Sequence, residues 1–201
     1  QWQNDLFGGN VGVRYVQTDI TSTGYISTGS DNVETQVEQD YAELLPSLNV
    51  VWYAAEGVQL RGSISKNLAH PSLASLAISG SVNTDKLELS SGNPGLSPYE
   101  SINYDTAIEW YIDDTGFITA GLFYKDIDNF VIGSSTKMPY GQTGFSEALL
   151  APGQTAATEF TYYTSVNGEK TSIQGLELGG QLDFTFSPAP FNNMGVIANY
   201  T

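Results

Sequence analysis

The sequence predicts an all-β fold, an antiparallel up-and-down sheet of about seven strands, and three observations carry that prediction. Apolar residues recur at every second position along the chain, and no stretch shows a capped apolar stripe of helical period. Aromatic residues make up 12% of the chain and glycines 21 of its 201 residues, while only 14% are charged, against about a quarter in an ordinary soluble domain. The connections alternate between tight turns and long polar stretches, and the long ones all fall at one end of the sheet.

The first strand, residues 9–20, sets Val11, Val13, Tyr15 and Gln17 on one face. The second, 41–54, does so with Leu44, Pro46, Leu48, Val50 and Trp52, and the tight Ala55-Glu56-Gly57 turn leads into the third, 57–66, with Val58, Leu60, Gly62 and Ile64. Ile102, Tyr104, Thr106, Ile108 and Trp110 mark the fourth, 99–112, which turns at Asp113-Asp114-Thr115-Gly116 into the fifth, 116–131, with Ile118, Ala120, Leu122 and Tyr124. The sixth, 160–186, carries Leu176, Leu178, Gly180, Leu182 and Phe184. Beyond Ser187-Pro188-Ala189-Pro190 the seventh, 194–201, carries Val196, Ala198 and Tyr200. None of these positions is charged. The opposite face holds Arg14, Arg61, Asp105, Glu109, Lys125, Glu177 and Asp183 among Ser47, Asn49, Gln59, Ser63, Asn103 and Gln181. The long connections are 22–40, 67–98 and 132–159, rich in Ser, Thr, Gly, Asn and Asp.

Seven basic residues against 22 acidic ones give a net charge of -15, which excludes a nucleic-acid backbone binder, since phosphate binding needs clustered cations. The absence of cysteine removes disulfide frameworks, zinc-finger ligand sets and thiol nucleophiles. No apolar run is long enough for a transmembrane helix, and Gln1-Trp2-Gln3-Asn4-Asp5 lacks the basic start and apolar stretch of a signal peptide. Two readings remain. A soluble secreted or periplasmic β-sandwich binding carbohydrate turns its apolar face to a core, and a membrane barrel turns it to lipid, so parity does not separate them. The aromatic positions favour the barrel: Trp52, Trp110 and Phe184 precede short turns, and Tyr15, Tyr104 and Tyr124 lie near the long-loop ends. They suggest two girdles about 9 to 11 residues apart, the span of a tilted strand across a bilayer, with short turns on one side and long loops on the other.

Five stretches then carry a family resemblance: Gly9-Asn10-Val11-Gly12-Val13-Arg14-Tyr15-Val16-Gln17-Thr18, Leu45-Pro46-Ser47-Leu48-Asn49, Gly92-Asn93-Pro94-Gly95-Leu96-Ser97-Pro98-Tyr99-Glu100-Ser101, Phe123-Tyr124-Lys125-Asp126-Ile127-Asp128-Asn129-Phe130 and Gly175-Leu176-Glu177-Leu178. In order and spacing, over nearly all of the chain, they resemble the barrel of TonB-dependent outer-membrane receptors. Ser65-Lys66-Asn67-Leu68-Ala69-His70-Pro71-Ser72-Leu73 resembles the stretch by which a strand of such a receptor leaves for an extracellular loop. The resemblance implies a barrel of about 22 strands around an N-terminal plug. It further implies import of a scarce nutrient (siderophore-bound iron, a vitamin or an oligosaccharide) across the Gram-negative outer membrane, with energy from the TonB complex and without catalysis. On this reading residues 1–201 are a partial barrel domain, with the plug and the remaining strands lying outside them. The open edges of the first and last strands then require partners, because unpaired backbone cannot face lipid.

Charges facing a barrel interior pair with a plug or line a solute path, which makes Arg14, Arg61, Asp105, Glu109, Lys125, Glu177 and Asp183 the candidate lumen contacts. Tyr140, Phe145, Tyr162 and Tyr163, in or beside the third long loop, offer flat faces that stack on sugar rings or aromatic chelators, or else fill a small core of the loop itself. His70, the sole histidine, reads as structural or solvated rather than as a base. Asp31, Glu34, Glu38 and Asp40 lack the glycine-centred periodicity of an EF-hand, and Asp126 with Asp128 reads as strand-to-loop punctuation. Gly8-Gly9 and Gly179-Gly180 precede no helix and form no phosphate cradle. No catalytic set, metal or cofactor is expected. The expected partners are outer-membrane lipid, the TonB complex through the plug, and a small extracellular ligand.

Overall fold

The computed structural model describes residues 1–27, 31–113 and 115–201. Two sheets account for its strands: an eight-stranded sheet in the order β1-β2-β3-β4-β7-β8-β11-β12 and a four-stranded sheet in the order β5-β6-β10-β9. The large sheet, the wall, comprises β1 (Trp2–Gln3), β2 (Phe7–Ser27), β3 (Asn32–Ala55), β4 (Val58–Ala69), β7 (Tyr99–Tyr111), β8 (Phe117–Asp128), β11 (Thr171–Asp183) and β12 (Gly195–Tyr200). Every pairing in it is antiparallel between neighbours in the meander, so connectivity is up and down as the loop lengths predict. The small sheet comprises β5 (Gly80–Asn83), β6 (Glu88–Ser91), β9 (Val131–Pro139) and β10 (Glu159–Asn167).

Four boundaries differ from the sequence reading, each for a physical reason. β2 and β3 stay paired up to Ser27↔Asn32, so the expected loop at 22–40 is a tall ribbon. Thr, Tyr, Ile and Val at Thr21, Thr23, Tyr25, Ile26, Val33 and Val37 favour the extended backbone there even without an apolar face to bury. Residues 28–30 of that connection and Asp114 of the 113–116 turn lie outside the described residues. The expected strand 116–131 stops at Asp128, because Asn129 turns the chain at φ 58, and β9 starts beyond it. The expected strand 160–186 breaks at Gly168-Glu169-Lys170 into β10 and β11, which belong to different sheets. Parts of the expected loops 67–98 and 132–159 form the small sheet.

Register makes the wall's two faces explicit. Phe7, Trp52, Leu60, Ile108, Ala120, Leu178 and Tyr200 stand opposite one another in one apolar row from β2 to β12. No described residue covers this face: Leu122 is 60% exposed, Ile108 48% and Leu60 36%. A sandwich would bury these side chains, so the sandwich alternative fails. The Tyr104↔Tyr124 and Trp110↔Ile118 pairs mark two aromatic levels on this face, closer together than the 9 to 11 residues expected. Two turns hold the short end. Gly57, at φ 69, lies so close to the next connection that a Cβ there would stand 2.4 Å from the Tyr111 carbonyl oxygen. The Asp113 carboxylate accepts the N–H groups of Thr115 and Gly116, which holds its pKa below the ordinary carboxylate value.

At the long-loop end β3 and β4 part company above Ser47↔Ser65. Pro46, with no N–H to donate, stands where that ladder stops. Across the opening the Lys66 ammonium lies 2.6 Å from Glu43 and 2.8 Å from Glu100. Beyond it the small sheet has a hydrophobic core of its own. Leu89, Tyr140 and Phe160 are buried, with Val82, Leu87, Phe145, Leu150 and Tyr162 packed against them. The rings of Tyr140 and Phe160 meet edge to face at 5.0 Å. Asn167 ties this sheet to the wall: its side chain donates to the carbonyls of Ser97 and Asn129 and accepts the Ser97 N–H. Asn93 donates to the Ser165 carbonyl.

Candidate functional site

All seven candidate lumen residues share the wall face opposite the apolar rows, as their parity predicts. Successive strands place Asn10, Asn49, Ser63, Asp105, Phe123 and Gly175 side by side across that face. The Asn49 amide donates to Asn10 at 2.8 Å, and the Ser63 hydroxyl donates to Asp105 at 3.1 Å. Toward the short turns, Arg61 Nε lies 2.8 Å from Glu109 Oε1. Arg61 also donates to Gln59 at 3.2 Å, and the Tyr111 hydroxyl donates to the other Glu109 oxygen at 2.9 Å. Lys125 sits 5.7 Å from the centre of the Phe123 ring, within cation–π range.

Between these groups lies a cleft of about 280 Å³ lined by Asn49, Arg61, Ser63, Asp105, Phe123 and Glu177, among others. Its electrostatics follow from the pairings. Glu109 neutralises Arg61, which leaves Asp105 and Glu177 without a cationic partner among the described residues. The cleft therefore favours donors or cations over anions. Arg14, opposite Leu45 on β2, makes no ion pair among the described residues and stands outside the cleft, as does Asp183 opposite Gly195.

Phe123 is the residue that the alternation hides, being a large aromatic side chain on the charged face. The pattern that exposes it is its glycine neighbours, since Gly175 faces it directly and a Cβ there would stand 2.4 Å from its ring.

In the loop region the four candidate aromatics separate. Tyr140 is completely buried, so it fills the loop core instead of contacting a ligand. Its hydroxyl donates to the Ser146 carbonyl at 2.8 Å, and burial pushes its pKa above 10.0. Phe145 and Tyr162 are half-buried against the same core. Tyr163, on the other face of β10, is 43% exposed. His70 Nδ1 is hydrogen-bonded to the Tyr41 hydroxyl, and Asp128 pairs with Lys170 at 2.8 Å, so both have local partners. No group of three or more metal-ligating side chains gathers among the described residues.

The family model described as "TonB dependent receptor-like, beta-barrel" matches residues 1–201. No curated protein matches the chain. Among solved structures, the chain is similar to the hemophore receptor HasR of Serratia marcescens, seen with its hemophore HasA and heme, at 16% identity and a TM-score of 0.60. That match covers 88% of this chain and 29% of HasR. It is also similar to the ferric enterobactin receptor PfeA of Pseudomonas aeruginosa in complex with enterobactin, at 17% identity and a TM-score of 0.56, over 86% of this chain and 24% of that one. The siderophore receptor PirA of Acinetobacter baumannii matches at 19% identity and a TM-score of 0.50, over 86% of this chain and 26% of that one. The chain thus spans less than a third of the length of each.

Proposed function

The chain belongs to the TonB dependent receptor-like β-barrel family, and from that premise we propose that it forms one stretch of wall and loops of an outer-membrane receptor that imports a scarce nutrient with energy from the TonB complex. The observation that carries this reading is the uncovered apolar face of a meander sheet whose opposite face is polar and cleft. Lipid is the solvent that such a face fits, because the interior strands satisfy their backbone within the sheet and the apolar side chains find no core. The remaining strands close the barrel and the plug fills it, with Arg61, Asp105, Glu109, Lys125 and Glu177 as plug or solute contacts. Arg14 and Asp183 serve at the margins of the same surface. The wall supplies no catalysis.

The test is made on the intact receptor in its own outer membrane. It is expected to migrate faster unboiled than boiled, and a deletion strain is expected to lose TonB-dependent growth on one nutrient from a panel of iron chelates, vitamins and oligosaccharides. Extraction of the protein as a water-soluble species, or growth unchanged on every nutrient, overturns the proposal.

A further inference from the structure

The face of the small sheet that points away from its core has an unusual chemistry. Ser81, Ser90, Tyr163 and Ser135 stand opposite one another in a single row across β5, β6, β10 and β9. The Ser81 and Ser90 hydroxyls are 2.9 Å apart. Ser75, Ser79 and Ser165 flank the row, and together they line a trough of about 730 Å³ in which no described lining residue is charged. Four strands at about 4.8 Å spacing give the row a length of roughly 14 Å. In its middle stands Tyr163, a broad ring among small hydroxyls.

Solvent-facing strand positions are ordinarily filled by charged residues, which also guard edges against association. Here the surroundings carry the charge and the trough does not. Asp85, Glu88, Glu147 and Glu159 belong to the same loop region with Lys86 and Lys137, and Glu88, Thr161 and Lys137 form the next row on this face. The ribbon of β2 and β3, with its connection, carries Asp31, Glu34, Glu38 and Asp40 without any Lys or Arg between Tyr15 and Leu60. Tyr25 and Ile26 of that ribbon line a common cavity with Val82 and Phe145, which places the ribbon against the small sheet. An anionic chelate would meet a rim where acidic side chains outnumber Lys86 and Lys137, and no described residue lining the trough is a cation. A metal ion would find no carboxylate there. Hydroxyls that both donate and accept, beside an aromatic face, match a ligand that is itself a chain of neutral hydroxyl-bearing rings.

We propose that this trough binds a neutral polyhydroxylated ligand, a short oligosaccharide, with Tyr163 stacking on a sugar ring and the serine row bonding its hydroxyls. This rests on the reading of the chain as part of an import receptor and narrows its cargo. The test uses the intact, detergent-purified receptor, with neutral hexasaccharides (maltohexaose, cellohexaose, xylohexaose and mannohexaose) and ferric enterobactin as probes. At least one hexasaccharide is expected to bind. Tyr163→Ala is expected to weaken it about tenfold, Tyr163→Phe to restore most of the loss, and Ser135→Val to weaken it severalfold. Heat-modifiable migration checks that each variant is folded. Binding of no hexasaccharide, or binding indifferent to Tyr163→Ala and Ser135→Val, overturns the inference. Binding and TonB-dependent uptake of ferric enterobactin alone overturns the ligand class and leaves the import reading standing. Absence of TonB-dependent uptake of any nutrient removes the import reading itself.

Discussion

The wall and the small sheet bury apolar surface by opposite means. The wall keeps Val13, Leu122 and Ile108 exposed on one face and puts Arg61, Asp105, Glu109 and Lys125 on the other, so no described residue shields its apolar rows. The small sheet gathers Leu89, Tyr140 and Phe160 out of solvent within a few short strands. On the proposed reading one is stabilised from outside by lipid, while the other is stabilised from inside by packing, so each fails under a different insult.

The largest test of that contrast is Phe160→Ala. It is expected to cost about 3–5 kcal/mol to the small sheet, read as faster hydrogen exchange over 80–91 and 131–167, while protection of β8 and β11 stays intact. Loss of wall protection as well would show that the two regions are one cooperative unit and break the comparison. Next comes Leu122→Arg, which places a cation on the apolar face near mid-strand. It is expected to cost about 2–4 kcal/mol in urea unfolding from lipid bilayers, with the small sheet's exchange unchanged. A cost near zero would mean that this face does not meet lipid. Gly175→Ala is expected to cost about 1–3 kcal/mol, because the added methyl displaces the Phe123 ring, and much of that cost should vanish when Phe123→Ala is made with it. Additive effects would show that the ring moves aside freely. The smallest effect is alkaline. The folded-state pKa of Tyr140 lies above its ordinary 10.0, so the stability tied to its protonated form is complete below that value and is lost as pH rises through the folded one. Protection factors, taken relative to intrinsic exchange at each pH, should therefore fall over the small sheet above about pH 10 while those of β8 and β11 hold, and uniform loosening would contradict the local assignment.

The wall was readable because each of its strands has one face that must be apolar and one that need not be, and alternation records that requirement in Leu60, Ile64, Ile108 and Leu178. The ribbon above the wall was not, since only its tip, at Tyr25 and Ile26, meets the small sheet and Asp, Glu, Gln and Thr replace the alternation along the rest. β5 and β6 are four residues each, and their partners come from distant segments, as in Thr161↔Glu88, so no local pattern marks them. The break in the sixth strand was written as Asn167-Gly168 between two β-prone runs, a turn signal outweighed by Thr, Tyr and Val beside it. In the cleft, the parity of Arg61 and Glu109 was visible while their pairing was not, because that depends on the β4–β7 register. Phe123 followed no pattern until Gly175 was seen to lie beneath it.

The parallel pairing of β6 with β10 also dictates an order of assembly. Glu88 and Thr161 lie on either side of the β7–β8 hairpin, and parallel strands cannot zip up from a local turn as antiparallel neighbours do. The hairpin must first return the chain to the same end of the wall, after which the two remote segments are close enough to meet. In refolding, exchange protection at Leu89 and Tyr162 should therefore lag behind that at Ile108 and Ala120, so that the small sheet is the last part of the molecule to gain its shape.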